Sequence, residues 1–237
     1  MRSVADFHSH ILPAIDDGSQ SITETMDMLR MEAEQGIATV VATPHFYAHR
    51  DKLERFLKRR EQAERLLRSE LAEHPELPEI VVGAEVHYFT GIGESELISE
   101  LVIGNTKYIL VEMPQPPWTE EMYLSLFNIY GNMGLTPIIA HIDRYITRFR
   151  TYGIPKRLKE LPVLVQANAE FFLNRGTTSM AMKMLRSGGI HLLGSDCHNL
   201  RSRKPNLGDA VKLIEERLGS EILSGIAENE QRVLSAK

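Results

Sequence analysis

The chain has 237 residues, 43% of them hydrophobic and 25% charged, with a formal charge of -5 at neutral pH. That ordinary globular balance excludes a disordered chain and disfavours nucleic acid as the main partner. The single cysteine, Cys197, excludes an intrachain disulfide, and no apolar run is long enough for a signal peptide or a membrane span, so a cytoplasmic protein without membrane insertion is expected.

Short apolar runs alternate with longer amphipathic ones. The first strand is SVADFHS. Ser21-Ile-Thr-Glu24 is a capping box that opens a helix with Ile22, Met26, Leu29 and Ala33 on one face and Gly36 as its stop. The strand ATVVATPH comes next, then a long helix over 51–74. EIVVGAEVH is the third strand, followed by a helix over 94–102. YILVEM is the fourth, and a helix over 119–133 follows it. The intervening loop, 114–122, carries three prolines and the only tryptophan, Trp118. It suits a lid or substrate platform, or equally a rigid surface loop. TPIIAH, PVLVQAN and IHLLGSD complete the strands, with helices over 155–161, 177–187 and 207–235. The strands are short and rich in Val and Ile, as buried parallel strands are. Seven strands, each followed by a helix and with no linker between, predict one domain over 1–237 and a closed or nearly closed α/β barrel. An open doubly wound sheet is the alternative.

Six of the seven predicted strands finish in side chains able to bind a metal. They are His8 and His10, then His45, Glu85, Glu112, His141, and finally Asp196 with His198. The carboxyl ends of barrel strands converge on one face, where active sites lie. Side chains alternate along a strand, so His8 and His10 point the same way. Asp196 and His198 do likewise, with Cys197 directed away, as long as the backbone stays extended that far. A carboxylate of the first loop, Asp16 or Asp17, adds a further ligand, and spacing does not separate the two. Any one of these residues could be a core histidine or a salt-bridge partner, but chance does not account for six strand ends together. Imidazole and carboxylate without thiolate suit Zn, Mn or Fe, and nine candidate ligands suit three ions sharing bridging carboxylates. His87, two residues beyond Glu85, is expected behind the ligands at most.

Arg144 in AHIDR and Arg203 in SDCHNLRSR follow candidate ligands closely. A guanidinium fork suits phosphate oxygens; the plainer reading is a salt bridge to a nearby carboxylate. Cys197 and Arg203 also satisfy the C-x5-R spacing of thiolate phosphatases. That loop lacks the glycines that would wrap backbone N–H groups around a phosphate, and its His198 belongs to the metal set.

The motifs DFHSHILPAIDDGS, VVATPHF, GAEVHY, LVEMP, AHIDRY, VQANA and GSDCHN occur in this order between Asp6 and Asn206. They resemble PHP-domain (polymerase and histidinol phosphatase) proteins, and more narrowly the bacterial PHP-type protein-tyrosine phosphatases encoded with capsule and exopolysaccharide genes. The resemblance implies a distorted (β/α)7 TIM-like barrel with three divalent transition-metal ions, Mn before Fe or Zn. It implies that His8, His10, Glu85 and Asp196 hold one ion, that Glu85, Glu112 and His141 hold a second, and that Asp17, His45 and His198 hold the third. It thereby selects Asp17 over Asp16. Arg144 and Arg203 match the phosphate-binding arginines. The implied reaction is attack of a metal-bridging hydroxide on phosphotyrosine, and the implied partner is a bacterial tyrosine kinase governing polysaccharide assembly. Asp143 stands where Glu is expected, and Glu170-Phe171-Phe172 replaces a smaller, more polar stretch. A small-molecule phosphoesterase such as histidinol-phosphatase is the competing enzyme. A PHP module without phosphatase activity is a third reading, against which the full ligand set argues.

Overall fold

A computed structural model describes residues 4–148, 151 and 153–235; the predicted start of the first strand, Ser3, lies outside them. Every strand pairing is parallel. One ladder joins β1 (Asp6–Ser9), β2 (Thr39–Ala42) and β4 (Glu79–Val82). A second runs through β3 (His45–Phe46), β5 (Glu85–His87), β6 (Tyr108–Glu112), β7 (Thr136–Ile139), β8 (Leu164–Asn168) and β9 (Leu192–Gly194). The segment after β9 returns to β1. Asp196 N donates to His8 O at 2.7 Å and His10 N to Cys197 O at 2.9 Å. The result is a mixed α/β domain built on a curled parallel sheet.

Two predicted strands do not run unbroken. ATVVATPH divides into β2 and β3 at Thr43-Pro44, where proline has no N–H to give a ladder. EIVVGAEVH divides into β4 and β5 at Gly83-Ala84. Each break re-aims the strand tip that carries a candidate ligand, His45 in one and Glu85 in the other. The second ladder resumes at once through parallel pairing of His45 with Glu85.

The helices are α1 (Ile22–Glu34), α2 (Leu53–Leu71), α3 (Glu120–Met133), α4 (Ile142–Arg148), α5 (Ile154–Leu158), α6 (Ala169–Leu173), α7 (Thr178–Arg186), α8 (Leu207–Leu218) and α9 (Ser220–Ser235). Ser21 Oγ caps α1 by accepting from Glu24 N at 3.1 Å, while the Glu24 carboxylate reaches back to Gln20 N at 2.9 Å. The expected helix over 94–102 is instead two 3-10 turns, Ile92–Glu94 and Glu96–Leu101. The expected helix over 207–235 is split at Gly219, whose φ of 84° no helical residue adopts. Two short helices, α4 and α6, were not expected from the pattern. Each starts directly after a strand end, too short for a periodicity to register. Among the described residues no helix is long and apolar enough to cross a membrane.

Most buried apolar residues lie between the sheet and the helices. A smaller cluster, with Phe7, Val41, Leu110, Ile138 and Leu192 from alternate strand positions and Val233 from α9, fills the inside of the curl. Phe7 and His8 are consecutive, yet both serve the interior, because β1 shifts register between Asp6 and Ser9. Gly194 makes room for this. A Cβ there would sit 2.7 Å from His8 Cβ and 2.9 Å from His8 N. The 114–122 loop is pinned rather than loose. Trp118 is buried, its indole N–H donates to Pro114 O at 2.8 Å, and its ring meets Tyr145 edge-on at 4.9 Å.

Candidate metal centre

The strand tips converge as the sequence pattern requires. His8, His10, Glu85, His141, Asp196 and His198 are each no more than 3% exposed. Glu85 stands at the middle. Its Oε2 lies 3.3 Å from His8 Nε2, 3.3 Å from His10 Nε2 and 2.8 Å from His45 Nδ1. Its Oε1 accepts from His141 Nε2 at 2.8 Å. His141 Nε2 is also 3.6 Å from Glu112 Oε1. Asp196 Oδ1 lies 3.6 Å from His8 and 3.5 Å from His10. On the other flank, Asp17 Oδ1 is 3.4 Å from His45 Nε2 and 3.6 Å from His198 Nε2.

The donor set fits divalent cations. Ligand atoms of His10, Asp17, His45 and His198 lie within 4.8 Å of one another, as do those of His8, His10 and Glu85, and those of His45, Glu85 and Glu112. Glu85 Oε2, His45 Nδ1 and His198 Nε2 are buried without a hydrogen-bond partner. They approach one another closely but do not point along hydrogen bonds, which suits atoms aimed at shared cations rather than at each other.

A second ring of residues holds the candidate ligands in place, and the sequence pattern did not single most of it out. Asp16 is turned away from the cluster's centre. Its Oδ2 pairs with His10 Nδ1 at 2.8 Å and accepts from His45 N at 2.9 Å, and its Oδ1 accepts from Gly18 N at 2.9 Å. This separates its place from that of Asp17. Gln166 Oε1 meets His8 Nδ1 at 3.3 Å and accepts from His141 N at 2.6 Å. Asn168 Nδ2 donates to Asp196 Oδ2 at 2.9 Å. Asp6 Oδ1 accepts from His8 N and Ser195 N, joining β1 to the segment that bears Asp196. Gln166 and Asn168 sit two apart at the end of the one strand without a metal-capable tip; that spacing was the available signal. His87 Nδ1 lies 3.0 Å from Glu112 Oε2, beside a candidate ligand and at the edge of the cleft.

Extended backbone does not persist to the last ligands. Asp196 has φ of 55° and His141 φ of 34°, both in the left-handed region that side chains rarely adopt. The alternation premise therefore fails at Asp196. Cys197 nevertheless faces away from the cluster, fully buried, with its sulfur 4.0 Å from Glu32 Oε1. Burial, followed by the nearby Glu32 and Asp6 carboxyls, pushes its thiol well above the usual range, so it is a poor thiolate. His198 N and Asn199 N donate to Arg203 O, closing this loop on itself.

Arg144, on α4, and Arg203 both reach Asp196. Arg144 Nη2 donates to Oδ2, and Arg203 Nη2 donates to Oδ1 at 2.7 Å. Both guanidinium groups are half-buried at the mouth of the site. Burial would raise the Asp196 pKa, but the charges of His8, Arg144, His10 and Arg203 hold it well below the carboxylate range. Two clefts flank the centre. One, of about 480 Å³, is lined by His87, Glu112, Met113, His141, Arg144 and Tyr145, among others. The second, of about 510 Å³, opens beside Asp17, His45 and Tyr47.

Residues 4–235 match the family described as "Capsular polysaccharide synthesis, CpsB/CapC". The chain is 29% identical over 250 residues to the tyrosine-protein phosphatase YwqE of Bacillus subtilis, covering 97% of this chain and 91% of that protein. It is 28% identical over 242 residues to the tyrosine-protein phosphatase CpsB of Streptococcus pneumoniae, covering 91% of each. Among solved structures, one from a study of YwqE and CpsB as metal-dependent tyrosine phosphatases superposes with a TM-score of 0.86 at 24% identity, covering 98% of this chain and 94% of that one. A phosphotriesterase homology protein from Escherichia coli shares the fold more distantly, with a TM-score of 0.54 at 12% identity and 98% of each chain covered.

Three imidazoles of the cluster, His10, His45 and His141, are shifted toward the protonated form in the ion-free chain. Burial opposes this, but the hydrogen bond and charge of Asp16, with Glu85, raise His10 to about 10. Glu112 and Glu85 raise His141 to about 9. A raised pKa means that the protonated form is favoured below it and lost as pH climbs through it. A cation at any of these nitrogens must displace that proton. Apparent Mn²⁺ affinity is therefore expected to rise between pH 6.5 and 9, with protons released on binding near pH 7.5. Calorimetry in buffers of different ionisation enthalpy measures this, and pH-independent binding without proton release contradicts it.

Proposed function

The chain belongs to the CpsB/CapC family of capsular polysaccharide synthesis, and on that premise we propose that it is a metal-dependent protein-tyrosine phosphatase. The observation that carries the reading is the convergence of His8, His10, Asp17, His45, Glu85, Glu112, His141, Asp196 and His198 on one cluster, buried at its centre, with Arg144 and Arg203 at its mouth. The fold is best counted as a distorted (β/α)7 barrel of the PHP type. In that count β2 with β3, and β4 with β5, are single strands broken by a local kink. One domain spans 1–237. Three divalent ions, Mn before Fe or Zn, suit the number of candidate ligands and the way Glu85 faces both flanks. A cytoplasmic setting is part of the proposal, supported by the single thiol of Cys197. The partner is the phosphotyrosine of a bacterial tyrosine kinase acting in polysaccharide assembly, and nucleic acid is not one.

His8, His10, Glu85 and Asp196 would hold one ion, Glu85, Glu112 and His141 a second, and Asp17, His45 and His198 the third. Bound there, the ions supply Lewis acidity toward the phosphoryl oxygens and activate water. The chain's own residues do the remainder. Asp16 fixes the His10 ring so that Nε2 faces the centre, and Gln166 does the same for His8. Asn168 holds one oxygen of Asp196. Arg144 and Arg203 present their forks beside Asp196, where they can clamp equatorial phosphoryl oxygens as charge redistributes. The leaving phenolate, whose conjugate acid has a pKa near ~10, needs less protonation than an alkoxide.

The discriminating experiment compares kcat/KM with added Mn²⁺ for a phosphotyrosine peptide and for histidinol phosphate. Preference for the peptide, and loss of turnover on chelation, are expected; a preference for histidinol phosphate moves the chain to the competing class. Metal analysis of protein purified without chelator should find more than one transition ion per chain, and metal-free protein with undiminished activity ends the proposal.

Arg144→Ala and Arg203→Ala should each lower turnover by roughly 10²-fold, from loss of a charge-assisted contact worth a few kcal/mol in the transition state. Metal content should stay near wild type in both. Unchanged kinetics in both variants would return the two arginines to a salt-bridge role at Asp196.

Cys197→Ser should keep most activity, with a few-fold loss from disturbed packing next to two candidate ligands. Trapping of a phosphocysteine, or an inactive variant with full metal content, would reinstate the C-x5-R reading.

A further inference from the structure

The two clefts beside the centre differ in chemistry. They meet across Glu85, whose two oxygens lie 2.8 Å from His45 on one side and 2.8 Å from His141 on the other. Tyr47 stands between them, its ring 5.3 Å from His45 and 5.2 Å from His87. The cleft with Arg144 is lined mainly by polar groups, with Met113, Pro114 and Tyr145 among them as surface for an aromatic ring. The cleft on the Asp17–His45 side leads instead to the start of α2, where Arg50, Arg55 and Arg59 line it together with Asp51.

Three arginines, Arg50, Arg55 and Arg59, face three aspartates, Asp16, Asp17 and Asp51, in this cleft, so the formal charges balance and what matters is how they pair. Arg55 and Arg59 share one carboxylate: Arg55 Nε is 2.5 Å from Asp51 Oδ1, and Arg59 pairs with Oδ2. One guanidinium charge of that trio is left over. Arg50 lies over the Tyr47 ring, 4.9 Å from its centroid, and its Nε donates to His49 at 3.1 Å. Among the described residues no carboxylate is within salt-bridge distance of Arg50, and its side chain is exposed. The acidic groups of the same cleft are turned elsewhere, Asp16 to His10 and Asp17 to His45 and His198.

We propose that this cleft is a subsite for an acidic side chain flanking the phosphotyrosine, recognised by Arg50 and by the surplus charge of Arg55 and Arg59. This rests on the phosphatase reading above and extends it to sequence preference. An extended peptide advances about 3.3 Å per residue. With the tyrosyl ring in the Arg144 cleft, an Asp or Glu a few positions away reaches across Tyr47 toward Arg50. The three arginines touch neither the reacting phosphate nor the candidate ligands. They act on substrate choice.

The test measures kcat/KM for three phosphotyrosine peptides, identical except for Glu, Gln or Lys at the flanking positions. Wild type should favour the Glu peptide over the Gln peptide by about fivefold, the scale of one or two exposed charge pairs, and lose that preference in high salt. Arg50→Glu should abolish the ratio and shift preference to the Lys peptide; Arg59→Gln, which leaves Arg55 on Asp51, should lower it partway. Because each ratio is taken on one protein, loss of metal or of folding lowers both rates and cancels. Equal rates in wild type, or an unchanged ratio in Arg50→Glu, overturn the subsite while leaving the phosphatase reading intact. Absence of turnover with every peptide overturns the phosphatase reading, and the subsite with it.

Discussion

Glu85 is a carboxylate 1% exposed to solvent, surrounded by three other carboxylates, Asp17, Glu112 and Asp196, within one cluster of strand tips. Burial alone would neutralise such a group or expel it. It stays charged because cationic and donating groups close on it. The charge of His8, with the close imidazoles of His10 and His45 and the hydrogen bond from His141, holds its pKa well below the usual range. The rest of the architecture can be understood as the means of bringing those imidazoles within a few ångströms of one carboxylate. They come from β1, β3 and the end of β7, far apart in sequence and adjacent only because the sheet curls.

That requirement explains departures from regular structure. The breaks after β2 and β4 re-aim His45 and Glu85. The register shift in β1 lets Phe7 fill the interior while His8, the next residue, also faces inward. His141 and Asp196 adopt left-handed backbone, a cost of roughly 1–3 kcal/mol each. Hydrogen bonds fix them there: His141 N donates to Gln166, and Asp196 N donates to His8 O. The scaffold that bears this strain is the pair of apolar cores on either face of the sheet.

Asp196 gathers the second set of constraints. Both of its oxygens are engaged, by Asn168 and Arg144 on one and by Arg203 on the other, while it also neighbours His8 and His10. A carboxylate so placed can face the cluster and at the same time hold two guanidinium groups at its mouth. This couples the position of the two guanidinium groups to that of the candidate ligands, so geometry at one end is transmitted to the other through a single side chain.

Much of the strand and helix order, the mixed α/β class and the candidate ligands are legible in the sequence, because each of these is written locally. Apolar runs of strand length, a capping box at Ser21, and polar residues at strand ends are patterns a few residues long. It also brought out Arg144 and Arg203. What depends on neighbours distant in the chain comes from the fold. Asp16 and Asp17 are adjacent and chemically identical, and they part only because Asp16 meets His10 and His45 N while Asp17 meets His45 and His198. Cys197 faces away, but not through strand alternation, since the backbone turns left-handed at Asp196. The supporting residues Gln166 and Asn168 carry amides that look like any polar strand end until the seam with β1 sets them against His8 and Asp196. Arg55 and Arg59 of α2 carry no local mark of a role, and only the fold turns the start of that helix toward the cleft beside His45. In each case the deciding quantity is a distance between residues separated by turns of chain, and local pattern holds no record of it.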